Sequence, residues 1–366
     1  MKVEIITLHH VRNHGSLLQT YATQKVIQTL GYDTEVMDFV PKGLWLFTGI
    51  KTIKGTGSLV KDVMRKTGAA LVFSMAQISV NSFLKKWITL SPIQYHSYQE
   101  VLDRVPEADI YLSGSDQIWN TQNANEPNDV KAYYLQFIKN KKKIAYGSSI
   151  GKDEFDNDIE ANEVKSYLES YSAIGVRESQ AVDLLDSIGI TNAVHVLDPT
   201  LLLDINQWKP LFRRRHHRKP YVFVYNLNRN PFIKHYALRL AKEMDLDIVN
   251  IADTMDFISG AKNRIHNMPY DFLDFLYNAE YVVTDSFHGT AFCINFSKQF
   301  ITFGAPRFNS RIISLLRLFS LEERFVSEEQ VDSSLMTKAI DYRAISERLA
   351  EERNKSKEFL ITSLKD

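Results

Sequence analysis

Short apolar runs rich in valine, isoleucine, phenylalanine and tyrosine alternate along this chain with stretches of helical periodicity, and that alternation restricts the fold more than any other feature. Strand-like runs fall at residues 3–8, 34–39, 109–114, 143–148, 173–176 and 194–197. A second series follows at 221–225, 247–251, 281–284 and 300–303. Helical patterns lie between many of them, at 17–30, 160–170, 179–187, 232–244 and 270–278. Strands alternating with helices build parallel sheets covered on both faces. At 366 residues the chain is long for one core, so an α/β protein of two domains is expected.

The boundary is placed at residues 208–220, where Arg213, Arg214, Arg215, His216, His217, Arg218 and Lys219 form a cationic block that repels itself and prefers solvent. Such a block suits a linker, and it also suits attraction to anionic lipid headgroups. The expected domains are then 1–207 and 221–340, with a charged amphipathic helix at 341–366 folding back across the junction. Residues 40–92 read as an irregular insertion in the first domain, containing Leu44-Trp45-Leu46-Phe47, the Gly55 and Gly57 kink, and an apolar run ending at Val80.

Charge argues against wholesale nucleic-acid binding: Lys+Arg and Asp+Glu are both 44. The one cysteine, Cys293, excludes an internal disulfide and fits a reducing compartment, and its apolar surroundings fit a core position. No secretory signal is visible at the amino terminus. The most apolar stretch, 68–80, is shorter than the roughly 20 residues a span requires. A cytoplasmic protein is expected, with contact at the inner face of a membrane left open.

Five turns carry candidate chemistry. In Thr284-Asp285-Ser286-Phe287-His288-Gly289-Thr290, a buried strand breaks into a polar turn and then a helix. That is the usual ligand crevice of an open α/β sheet. Amides near Ser286, Gly289 and Thr290 would attract an anion, and His288 can exchange a proton near neutral pH. After the first strand, Asn13 and Gly15 open a helix in a loop that also holds His9, His10 and His14. No carboxylate stands close in sequence to those histidines, so the reading there is a solvated loop without metal. After the strand at 109–114, Asp116, Gln117 and Trp119 offer a carboxylate, an amide and an aromatic face, a set that suits a sugar. The plainer alternative makes Asp116 a cap and Trp119 core. Arg177 leaves a strand beside Glu178: it either binds an anionic donor or pairs with that glutamate. Arg307 and Arg311 follow the strand at 300–303 and can add positive charge. Dinucleotide and P-loop fingerprints, a nucleophile elbow and zinc-cluster spacing are all missing, so no cofactor and no metal are expected.

Taken in order, these segments resemble the polysaccharide pyruvyl transferase family. The resemblance rests on Asn13-His14-Gly15-Ser16, Gly114-Ser115-Asp116-Gln117-Ile118-Trp119-Asn120, Val176-Arg177-Glu178, Leu197-Asp198-Pro199-Thr200, Ser286-Phe287-His288-Gly289-Thr290 and Asn309-Ser310-Arg311. It implies two Rossmann-like domains facing a cleft, as in GT-B glycosyltransferases. It further implies phosphoenolpyruvate as donor and a sugar acceptor, often lipid-linked, with a pyruvate ketal as product. By motif match, Arg177 and His288 take the donor-binding and active-site positions, with Arg307 or Arg311 as a further cationic contact. Asn13, Gly15, Gln117 and Trp119 are assigned to the acceptor side, and Asp116 to base catalysis. Two rivals stand beside this reading: a glycosyltransferase using a nucleotide sugar, and a sugar-binding relative without catalysis.

Overall fold

The computed structural model describes residues 1–42, 59–123, 126, 128–212, 219–251, 257–264, 268–304, 309–326, 335 and 338–365. Its first sheet takes the order β3-β2-β1-β4-β5-β6-β7. The strands are β1 (Lys2–Ile6), β2 (Asp33–Phe39), β3 (Leu90–Tyr95), β4 (Ile110–Ser113), β5 (Lys142–Ser148), β6 (Ala173–Val176) and β7 (Ala193–His195). The second sheet runs β10-β9-β8-β11-β12-β13. Here the strands are β8 (Tyr221–Tyr225), β9 (Asp247–Ile251), β10 (Lys262–Arg264), β11 (Tyr281–Thr284), β12 (Gln299–Phe303) and β13 (Phe325–Val326). Every pairing in both sheets is parallel. Two Rossmann-like α/β units therefore stand where two were expected.

The strand order fixes where ligands belong. In each sheet the winding direction reverses once, between β1 and β4 in the first and between β8 and β11 in the second. Loops leaving the carboxyl ends of strands at such a switch point splay apart and leave a crevice. The turns after β1, β4 and β11 are the ones that carry Gly15, Asp116 and His288.

Helices cover the sheets: α1 (His14–Thr29), α2 (Leu59–Trp87), α3 (Asp158–Leu168), α4 (Ser179–Ser187), α5 (Pro199–Leu202), α6 (Pro231–Glu243), α7 (Pro269–Tyr277), α8 (Phe287–Asn295), α9 (Ser310–Leu318) and α10 (Tyr342–Leu364). One continuous apolar core runs through both units, from Val3 and Leu17 to Phe272, Phe292 and Leu364. Trp208 is its knot, with ring centroids 5.6 Å from Tyr21 and 5.1 Å from Phe292. Helix α10 runs back over the first unit, burying Leu349, Leu360 and Leu364. There Ser356 Oγ accepts from Leu197 N at 2.9 Å, while Arg353 reaches Leu201 O and Asn295 Oδ1, tying α5 to α8.

Three strands escaped the sequence reading, and all sit at or near sheet edges. β3 holds Pro92, which an edge tolerates, β10 is Lys-Asn-Arg, and β13 has two residues. The insertion at 40–92 is not irregular throughout, because residues 59–87 form a single helix. The apolar run Leu44 to Phe47 and the glycines at 55 and 57 lie outside the described residues, as do 213–218 of the basic stretch. The stretch 208–220 also begins inside the fold, since Trp208 is buried. Among the described residues no helix is long and apolar enough to cross a membrane.

If α10 is an integral part of the core, Leu360→Ala should lower the unfolding free energy by about 2–5 kcal/mol. Urea denaturation followed by circular dichroism would measure that loss at an unchanged m-value.

Candidate active site

Asn13 starts α1 by accepting from Gly15 N at 2.8 Å and Ser16 N at 3.4 Å. Ser286 starts α8 by accepting from Gly289 N at 3.2 Å. These two caps aim two helix starts from different units at one another. His288, 5% exposed, lies so close to Gly15 that a Cβ there would stand 2.1 Å from its Nδ1. Gly15 is therefore the seat of the imidazole rather than a sugar contact, and only a hydrogen fits at that position.

Asp198 is the hub of the site. Its Oδ2 accepts from Ser115 Oγ at 2.8 Å and from Arg177 Nη1 at 3.1 Å, with His288 Nε2 at 3.7 Å. Its Oδ1 accepts from Thr200 N at 2.9 Å and from Thr200 Oγ1 at 2.6 Å. Burial alone would raise this carboxyl, yet His288, Arg177 and Thr200 hold it well below the usual carboxylate range.

Arg177, 3% exposed, also pairs with Glu178 Oε1 at 3.3 Å and stands 3.8 Å from Asp116 Oδ1. Its guanidinium stacks on Phe287, 4.3 Å from the ring centroid. The structure bears out the pairing of Arg177 with Glu178. Burial would lower its affinity for the proton, but Glu178, Asp198 and Asp116 raise it above the ordinary value. Two donor atoms in this buried cluster make no hydrogen bond among the described residues, Arg177 Nη2 and His288 Nε2.

Asp116 sits at φ +78°, a backbone region costly for any residue but glycine. It is held there by its carbonyl accepting from Ser149 N at 3.0 Å, by Gln117 N donating to Oδ1 at 2.8 Å, and by Ser16 Oγ donating to Oδ2. Burial pushes the Asp116 carboxyl up, while Arg177, His288 and Ser16 bring it below its usual value. From α9, the half-buried Arg311 joins the cluster. Burial and then the neighbouring Arg177 pull its guanidinium down to about 10.

Several assignments change. Trp119 is 1% exposed, stacked on Tyr134 with centroids 5.1 Å apart and donating from Nε1 to Ser113 Oγ, so it is core and offers no face to a sugar. Thr290 spends its amide and hydroxyl on Ser286 O, at 2.9 and 3.0 Å, and Gly289 spends its amide on Ser286 Oγ. Neither is left to hold a donor, and Gly289 instead permits close packing on Thr284, whose Oγ1 a Cβ would meet at 2.7 Å. Asn13's oxygen is committed to its cap. Gln117 is partly exposed at the crevice and accepts from Asn120 Nδ2 at 3.0 Å. Arg307 lies outside the described residues. His9 is fully buried, and His14 stacks on Phe272 of the second unit at 5.7 Å, so their loop is not solvated. Asp198, Ser16 and Ser115 were missed as site residues. Asp198 stood in the Leu197-Asp198-Pro199-Thr200 motif, but nothing in the sequence says that its carboxylate turns toward Arg177.

Two parallel α/β units, with their switch-point loops converging on one buried polar cluster, define a GT-B-like architecture. At the level of fold it is similar to S. aureus MnaA solved with UDP (12% identity, TM-score 0.51, 94% of each chain covered). It is likewise similar to the UDP-GlcNAc 2-epimerase of Methanocaldococcus jannaschii (13% identity, TM-score 0.51, 94% of this chain and 93% of that one covered). No curated protein matches the sequence. Residues 13–305 match the polysaccharide pyruvyl transferase family, and the chain belongs to it.

Gly15→Ala should keep the circular dichroism spectrum but displace the imidazole, and a misplacement of about 1 Å can cost roughly 10²-fold in turnover. Steady-state assay of the folded variant measures this. Asp198→Asn should lose about 3–5 kcal/mol of stability at pH 7, because Arg177 loses a buried partner. The native carboxyls of Asp116 and Asp198 titrate below their unfolded values, so their contribution is full above about pH 4 and is lost as pH falls. Urea titrations across the acid range should therefore show a shallower decline for Asp198→Asn than for wild type.

Proposed function

We propose that this transferase moves the enolpyruvyl group of phosphoenolpyruvate onto two hydroxyls of one sugar, in a bacterial surface polysaccharide or its lipid-linked precursor. The product is a pyruvate ketal, and inorganic phosphate leaves. The observation that carries the proposal is the pair of buried nitrogens without hydrogen bonds at the meeting of two helix starts: Arg177 Nη2, 3.8 Å from Asp116 Oδ1, and His288 Nε2, 3.7 Å from Asp198 Oδ2. A buried, unsatisfied donor costs about 1–3 kcal/mol, more when charged, and an anion placed between these two relieves both. Family membership supplies the transferred group.

In this reading His288 gives a proton to the methylene carbon of the enol. One sugar hydroxyl then adds to the neighbouring carbon, the C–O bond to phosphate breaks, and a second hydroxyl closes the ring. Of the two hydroxyl protons released, one restores the imidazole and the other leaves with phosphate. Arg177 Nη2 and Arg311 bear on the donor's negative charge, and Asp116, held by Ser16, stands where a hydroxyl proton can be taken up.

Phosphate release and mass spectrometry of a glycan panel incubated with phosphoenolpyruvate test the chemistry, with nucleotide sugars as the competing donors. His288→Ala should lose roughly 10²–10⁴-fold in turnover while staying folded. Arg177→Lys keeps a charge for three buried carboxylates but loses the free fork nitrogen, one charge-assisted bond of about 1.5–3 kcal/mol, so KM for the donor should rise roughly 10–150-fold. Transfer from a nucleotide sugar but not from phosphoenolpyruvate would overturn the proposal.

A further inference from the structure

A second polar cluster lies at the carboxyl ends of β1 and β2, in the loop that leads into α1. His9, His10 and Asp38 each bring one ligand atom to within 4.8 Å of the others. His9 is fully buried, Asp38 nearly so, and His10 is partly exposed. The carboxylate absent from the local sequence is thus supplied by the neighbouring strand.

His9 Nδ1 lies 3.2 Å from the Thr7 carbonyl. A carbonyl only accepts, so Nδ1 carries the proton and Nε2 keeps a lone pair in the neutral ring. That Nε2 stands 2.9 Å from Asp38 Oδ1, a second acceptor. Two acceptors at such a distance need positive charge between them, either a further proton or a metal ion. The outer contacts match those of a metal site. Thr7 O orients the His9 ring, and Gln94 Nε2 holds Asp38 Oδ2 at 2.8 Å, as second-shell partners orient ligands. A second imidazole, His10, stands at the same point, as a third ligand would.

We propose that His9, His10 and Asp38 form a binding site for a divalent transition metal of the zinc class, with His9 Nε2 and Asp38 Oδ1 as two of the ligands. Bonds of about 2.0–2.2 Å in tetrahedral geometry place such ligands roughly 3.3 Å apart, so the His9–Asp38 pair opens slightly and the His10 ring turns in. Gln77 Nε2 now lies 2.8 Å from His10 Nε2 and also donates to Asn81 Oδ1 at 3.0 Å. Turning that amide over, at the expense of the Asn81 bond, lets its oxygen accept from His10 Nε2–H and frees Nδ1 to ligate. Three protein ligands leave a fourth position for water. The ion braces the loop whose far end is Asn13 and Gly15, the seat of His288.

The full-length protein, stripped with chelator and desalted, is titrated with zinc chloride by calorimetry and followed by thermal unfolding. One equivalent should bind at micromolar or tighter affinity, and a zinc excess of about 100 times Kd should raise the midpoint by several degrees. Both effects should vanish in His10→Asn and in Asp38→Asn, each verified as folded by circular dichroism. Absence of saturable heat in wild type, or undiminished binding in the two variants, overturns the site. Neither readout involves transferase activity, so the result stands apart from the fate of the donor assignment.

Discussion

A single carboxylate oxygen, Asp198 Oδ2, organises this molecule. Ser115 and Arg177 of the first unit bond to it, and His288 of the second leans toward it. Charges taken out of water must find partners there, and removing one partner of a buried pair costs about 3–5 kcal/mol. Asp198 itself sits at the head of α5, which packs between α1 and α8, so the carboxylate and the imidazole are placed by the same apolar seam of Tyr21, Trp208 and Phe292. The site exists only while both units are docked. No element of either unit, taken alone, would bring an imidazole and a guanidinium to one oxygen.

What was legible in the sequence follows from which interactions are local. Buried central strands announce themselves by apolar runs: residues 281–284 read the same from the sequence as in the fold. His288 and Arg177 were singled out because each follows such a run, where a strand-to-helix turn carries its side chains to the carboxyl end of the sheet. Edge strands failed because half-exposed positions dilute the pattern, as in Leu90–Tyr95. Trp119 failed because an indole after a strand looks the same whether it meets a sugar or, as here, Tyr134. Glycines failed for a related reason. Gly15 reads as a loop residue, while its necessity comes from a ring 273 positions later in the chain, packed against its α-carbon. Asp38, which meets His9, and Asp198, which meets His288, are contacts between distant segments that no local pattern encodes.

Asp116, Glu178 and Asp198 surround Arg177, so much of that guanidinium's charge is balanced by the protein itself. On the other side of the cluster lie the first turn of α8 and Arg311, whose affinity for its own proton is depressed by burial and by Arg177. Two guanidinium groups brought together in low dielectric repel each other, and the three carboxylates around Arg177 offset that repulsion. Arg177 comes from one unit and Arg311 from the other, so docking the units carries that repulsion against the gain of the apolar seam of Tyr21, Trp208 and Phe292.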